Sequence, residues 1–317
     1  MKVVFFGTTD FAAFCLNAVV ENGYNVVGVV TTEDKPANRG HKIAYSPVKQ
    51  YALENNLFLL QPNKLKDEDF LNRLSLLEAD IQIVVAFRML PKEVYSMPKK
   101  GTFNLHASLL PKYRGAAPIN WAIINGDKTT GLTTFFLNDR IDEGEIIFQQ
   151  EITIESNERF GQLYNRMMIR GGELVVKTLK AIENNSYKVI SQKDIQQSYS
   201  TAPKIYKDMT YINWENSGKN IENFVRGLSP NPCARAIFYD KITKNELILK
   251  IFEVKFTKKT HKKNIGDITI NKEEGFVIYC LDGIVEIIEL QQSGKKPMSV
   301  LDFLRGNRIE DNLVIKK

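Results

Sequence analysis

The stretch Phe103-Asn104-Leu105-His106-Ala107-Ser108-Leu109-Leu110-Pro111 alternates apolar and polar residues and then closes on a proline. Residues two apart on a strand share a face, so a strand over 102–106 puts Asn104 and His106 on one side and Leu105 on the other. Upstream, 81–87 is apolar apart from Gln82, the pattern of a strand buried on both faces. Earlier runs at 2–6 and 25–31 flank an amphipathic stretch over 10–21, with Asp10 placed to cap that helix. A helix is predicted over 67–77. Downstream, strands over 133–137 and 146–154 precede a long helix over 158–183, with Leu163, Met167, Leu174 and Leu179 on or near one face. Alternating strands and helices predict an α/β fold: an open, mostly parallel sheet with helices on both faces. Gly7-Thr8-Thr9-Asp10 lacks the later glycines of a dinucleotide fingerprint, so that site is discounted.

His106 is one of only three histidines, and an acidic loop, Asn138-Asp139-Arg140-Ile141-Asp142-Glu143-Gly144-Glu145, follows further along the chain. Its glycine permits a tight turn. A carboxylate, an imidazole and an amide converging on one point can move a proton while stabilising a developing oxyanion. A hydrolase with Ser108 as nucleophile fits less well. No G-x-S-x-G elbow surrounds Ser108, and it lies only two residues from His106.

A chain of 317 residues is comfortable for two domains. The segment 191–207 is polar and without apolar periodicity, which predicts a linker between a first domain over 1–190 and a second over 208–317. The second begins with a helix around 219–226 and a turn at Ser229-Pro230-Asn231-Pro232. Short β-rich runs follow at 236–239, 246–254, 275–280 and 284–290, suggesting a small barrel. The net charge of +6 is unevenly placed: residues 1–200 hold 23 basic against 22 acidic side chains, residues 201–317 hold 20 against 15. Lys258-Lys259-Thr260-His261-Lys262-Lys263 supplies much of the excess. Such a run is ordinarily a solvated loop, but a basic appendage on a nearly neutral half is also what a polyanionic substrate requires. Cys15, Cys233 and Cys280 are far apart and odd in number, which argues against disulfides and metal sites. No apolar run approaches the ~20 residues of a membrane span. The expectation is a cytoplasmic protein with no metal and no membrane partner.

Asn104-Leu105-His106-Ala107-Ser108-Leu109-Leu110-Pro111, Arg114-Gly115-Ala116-Ala117-Pro118-Ile119 and Asp142-Glu143-Gly144 together resemble the 10-formyltetrahydrofolate-dependent formyltransferases. The similarity runs nearly end to end, through Phe5-Phe6-Gly7-Thr8-Thr9-Asp10-Phe11-Ala12, Lys35-Pro36-Ala37-Asn38-Arg39-Gly40, Ser46-Pro47-Val48-Lys49 and Gly294-Lys295-Lys296-Pro297-Met298. The Arg39 loop, the Arg114 motif and the C-terminal signature match the members that act on aminoacylated tRNA. The resemblance implies an OB-like C-terminal barrel and transfer of a formyl group from 10-formyltetrahydrofolate to the α-amino group of initiator methionyl-tRNA by a monomeric enzyme. The alternatives are a formyltransferase for glycinamide ribonucleotide or an amino sugar, and a non-catalytic RNA-binding protein.

Carried over residue by residue, the resemblance makes Asn104, His106 and Asp142 catalytic. It assigns folate contacts to Phe87, Arg88, Met89, Leu90, Ser108, Leu109, Leu110, Pro111 and Asp139. Plain core packing is the other reading for Leu109 and Leu110. Two departures from the commoner family pattern stand out: Phe87-Arg88-Met89 is one residue shorter, and Asn138 stands where many relatives have aspartate. Lys35, Arg39 and Lys42 lie in a long polar loop expected at the tRNA acceptor end, Arg39 being suited to phosphates and bases alike. Lys258, Lys259, Lys262 and Lys263 complete the expected tRNA contacts.

Overall fold

Val3-Val4-Phe5-Phe6 in the strand Lys2–Gly7 (β1) is wholly buried, because both faces of a central parallel strand are covered. A computed structural model describes residues 1–36, 43–195, 199–271, 275–307 and 313–315. In it β1 is joined by β2 (Asn25–Val30), β3 (Leu59–Leu60), β4 (Ile81–Val85), β5 (Thr102–His106), β6 (Thr129–Phe136) and β7 (Ile146–Thr153), in the order 3-2-1-4-5-6-7. The pairs β1–β2, β1–β4, β2–β3 and β4–β5 are parallel, and β6 runs antiparallel to β5. Strand order reverses between β1 and β4. At such a switch point the carboxyl ends of the strands open a crevice where ligands bind.

The helices begin where capping residues allow. Thr9, not Asp10, caps the helix Asp10–Glu21: its Oγ1 accepts from the Ala12 N–H at 3.3 Å, while Asp10 is the first helical residue and accepts from the Phe11 N–H. Ser46 caps Pro47–Glu54, and Asp67 caps Glu68–Ser75. The long helix spans Phe160–Glu183, with Leu163, Met167, Leu174 and Leu179 all buried.

The chain divides into two compact units, the first made of Met1–Gly115, Thr130–Thr153 and Asn165–Thr201. Ala116–Thr129 and Ile154–Tyr164 are enclosed by it in sequence but pack with Ala202–Lys317 in the second. There the helix Pro118–Ile124 lies against Gly218–Leu228, and Gly227 is small for a reason: a Cβ would fall 2.7 Å from Ile124 Cγ1. The main sheet of this unit is antiparallel, with Glu246–Lys258 central and bent by register shifts between Ile251 and Val254. It is a nearly closed, barrel-like sheet, its outermost strands Ile268–Asn271 and Leu313–Ile315 approaching each other. Phe276 fills its core between Phe238 and Phe303, at centroid distances of 5.6 and 6.1 Å. Those two outer strands and the helix Val300–Gly306 were not legible as elements in the sequence.

Candidate active site

Asn104 and His106 share one face of β5, as the alternation requires, and β5 brings both to the carboxyl end of the sheet beside Val84 and Val85. His106 is 6 % exposed. Its Nε2 lies 2.8 Å from the Tyr113 carbonyl oxygen, which can only accept, so Nε2 carries the proton of the neutral ring. Nδ1 is left as the basic nitrogen, and Asp142 Oδ2 lies 3.8 Å from it. That separation suits attraction to an imidazolium but is too long for a direct hydrogen bond. Asp142 Oδ2 instead accepts the Gly115 N–H at 3.0 Å. The Asn104 carboxamide is half-buried and makes no side-chain hydrogen bond among the described residues.

The backbone around this cluster is strained. Ala86, Tyr113 and Asp142 hold φ values of +47°, +62° and +55°, each costing roughly 1–2 kcal/mol for an L residue. Such conformations persist where the surroundings over-determine them, and they gather at functional sites. Gly144 shows how tightly the acidic loop is seated, since a Cβ there would lie 1.6 Å from the Phe136 carbonyl oxygen.

Other expected ligand contacts are placed unequally. Phe87 is half-buried, edge-on to Phe6 at 5.7 Å, and Arg88 donates to the Pro62 and Asn63 carbonyls. Met89 is 61 % exposed, whereas Leu90 is core, packed with Val84 and Val94. Ser108 is fully buried and donates to the Lys112 carbonyl, which makes it part of the turn rather than a free nucleophile. Leu109 sits over Gly131, where a Cβ would come within 2.5 Å of its Cδ2. Leu110 packs with Phe135 and Ile146, and Pro111 beside it is buried. Asp139 is exposed in the acidic loop, while Asn138 accepts from the Arg140 N–H and shapes the bend.

The Lys35 backbone pairs with Ala44, but Arg39 and Lys42 lie outside the described residues. At the base of that segment Asp34 accepts from Lys49 Nζ at 2.5 Å and Gln61 Nε2 at 3.0 Å, hydrogen bonds that hold its carboxyl below the usual range. Lys258 ends a strand, opposite Gly283, and Lys259, Lys262 and Lys263 continue into an exposed turn. Among the described residues none of these four lysines forms an ion pair.

Arg114, Tyr113 and Gln192 complete the site, and none was assigned a role from sequence. Arg114 bonds Gln192 Oε1 through Nε and Nη2 at 3.1 and 2.7 Å, and its Nη1 pairs with Glu143 at 3.1 Å. Gln192 is the second residue of the segment expected to be a linker, yet it is only 4 % exposed. Among the described residues no group of three or more His, Cys, Asp and Glu could hold a metal ion, and no helix is long and apolar enough to cross a membrane.

A basic imidazole nitrogen, a nearby carboxylate and an unengaged amide donor at the carboxyl end of β5, one strand from the switch point, suit group transfer through an oxyanionic transition state. The fold and site together are those of an α/β transferase. Residues 1–179 match the formyl transferase family and residues 204–308 the formyl transferase C-terminal domain; the chain belongs to this family. It is 50 % identical over 311 residues to the methionyl-tRNA formyltransferase of Flavobacterium johnsoniae, covering 98 % of each chain. It is 48 % identical to the methionyl-tRNA formyltransferase of Bacteroides thetaiotaomicron, over 98 % of this chain and 97 % of the other. The sugar 3N-formyl transferase WlaRD shares the fold at 24 % identity, with a TM-score of 0.65 over 93 % of this chain and 99 % of that one. HypX from Aquifex aeolicus, solved with tetrahydrofolic acid, does so at 17 % identity and a TM-score of 0.61, over 96 % of this chain and 47 % of HypX.

Proposed function

We propose that this enzyme transfers the formyl group of 10-formyltetrahydrofolate to the α-amino group of initiator methionyl-tRNA, yielding N-formylmethionyl-tRNA for translation initiation. The observation that carries this conclusion is the near-complete, roughly half-identical match to methionyl-tRNA formyltransferases. It favours the tRNA substrate over a small-molecule amine and over a non-catalytic RNA-binding role.

The residues present fit the folate co-substrate, because the Asn104 amide stands half-exposed beside the switch point with its donors unspent. Bound there, the folate supplies a formyl carbon on a nitrogen leaving group. Asn104 donates to the formyl oxygen as negative charge grows on it. His106 Nδ1 takes the proton shed by the attacking amine and returns it to the departing nitrogen. Asp142 stabilises the imidazolium formed in between, and the 3.8 Å gap leaves room for a bridging water or for closure on substrate. The Nε2–H bond to the Tyr113 carbonyl keeps the ring in the tautomer this role needs. Lys258, Lys259, Lys262 and Lys263, with Lys35, Arg39 and Lys42, are proposed to meet the tRNA backbone.

The test is transfer of labelled formyl from 10-formyltetrahydrofolate to methionyl-tRNA, glycinamide ribonucleotide and a nucleotide-linked amino sugar, offered separately. Label on methionyl-tRNA alone is the expected result. Label on either small amine with none on the tRNA overturns the assignment.

A further inference from the structure

Gln192 uses its whole hydrogen-bonding capacity in one place. Nε2 donates to the carbonyl oxygens of Asp142 and Gly144 at 2.9 and 2.8 Å, while Oε1 accepts both bonds from Arg114. Two donors and two acceptor lone pairs are all a carboxamide has. Its orientation is fixed by chemistry as well, since carbonyls only accept and a guanidinium only donates. One nearly buried side chain thus ties together the two segments that hold Asp142. The acidic loop is gripped by its backbone on either side of Glu143. Arg114 precedes Gly115, whose N–H meets the Asp142 carboxylate. Arg114 also reaches Glu143, closing the circuit.

The grip also holds Asp142 at a φ of +55°, in the left-handed region that an L residue adopts at a modest cost. From these contacts we infer that Gln192 is a positioning residue: it sets the distance and direction of the Asp142 carboxylate toward His106 Nδ1 without touching either substrate. The inference rests on Asp142 acting with His106, as proposed above.

Two replacements separate positioning from folding. Gln192→Glu keeps the shape and the partnership with Arg114 but aims an acceptor at two carbonyls. Arg114→Lys keeps the charge but loses the fork that grips Oε1. Each is expected to lower kcat by about 10- to 100-fold, the scale for an outer residue that orients a reactive one, with KM for folate and tRNA nearly unchanged. The wild-type dependence of kcat on pH should move toward that of Asp142→Ala. The decisive step is a double-mutant cycle: Gln192→Glu added to Asp142→Ala should cost almost nothing further. Independent, multiplying losses overturn the positioning role, as does a change confined to KM. If Asp142→Ala itself is fully active, the catalytic assignment fails instead. Should Gln192→Glu not fold, as judged by its thermal unfolding, the same cycle is run with Arg114→Lys and the same outcomes decide.

Discussion

The loop over 138–145 and the turn over 258–263 are both charged and both attached to strands, yet they are built in opposite ways. In the first, Asp142 and Glu143 each have a partner within the fold, Gln192 and Gly115 hold the backbone and carboxylate, and Gly144 leaves no room for a side chain. In the second, four lysines stand exposed without ion pairs among the described residues; Lys258 and Lys259 are held through their backbone, opposite Gly283 and to the Asp282 carbonyl, and the His261 ring lies against the Lys263 and Cys280 carbonyls. Proton transfer demands atoms fixed to within a fraction of an ångström. Attraction to a polyanion demands charge near a surface, and mobile side chains serve it well.

The difference breaks if the fixed loop proves dispensable. His106→Ala and Asp142→Ala should each lower kcat by roughly 10²-fold or more, and Asn104→Ala by a comparable factor through removal of its oxyanion donor. Steady-state kinetics with both substrates saturating reads this directly. Next in size, Gly144→Ala forces a methyl into the Phe136 carbonyl and must lift the loop off the sheet. A fall in kcat of at least about 10-fold is expected from that misplacement, with little change in KM for tRNA.

The lysine turn should respond differently. Neutralising Lys258, Lys259, Lys262 and Lys263 together should raise KM for methionyl-tRNA and flatten its salt dependence, by about 0.7–0.9 in log–log slope for each phosphate that is no longer neutralised. KM measured at several salt concentrations gives the slope, and an unchanged slope would return the cluster to a solvated surface. The smallest effect concerns the base of the Arg39 segment. Hydrogen bonds from Lys49 and Gln61 lower the Asp34 pKa in the folded protein, so this contribution is present above the unfolded value of ~3.9 and lost as pH falls through the folded one. Asp34→Asn should therefore unfold at a slightly lower temperature than wild type at pH 7. The two melting temperatures should converge in acid below the ordinary carboxylate range, which thermal scans across pH would show.

How much of this was legible in sequence follows from the range of the forces involved. Strand β5, its alternation and the buried run of β4 depend on side chains within a few residues of one another, so the sheet and the pairing of Asn104 with His106 could be read. Asp142 was reachable through its glycine-bearing acidic loop. Gln192 was not: its partners lie 48 to 78 residues away, and its own neighbourhood is polar enough to resemble a connector. Leu110 carried no local sign of its packing against Phe135 and Ile146, which come from strands further along the chain. The packing of 116–129 and 154–164 with the second unit was hidden for the same reason.

The most direct test is the single-turnover rate of formyl transfer, with enzyme in excess over methionyl-tRNA and 10-formyltetrahydrofolate saturating. With each variant's concentration raised until the rate no longer increases, binding is complete and only the chemical step is read. Asp142→Ala should be slower than wild type by about two orders of magnitude, while the quadruple lysine variant should transfer at close to the wild-type rate. A lysine variant crippled in this step beside a fully active Asp142→Ala would contradict the division between a loop whose side chains are fixed for proton transfer and a turn whose exposed lysines act only on binding.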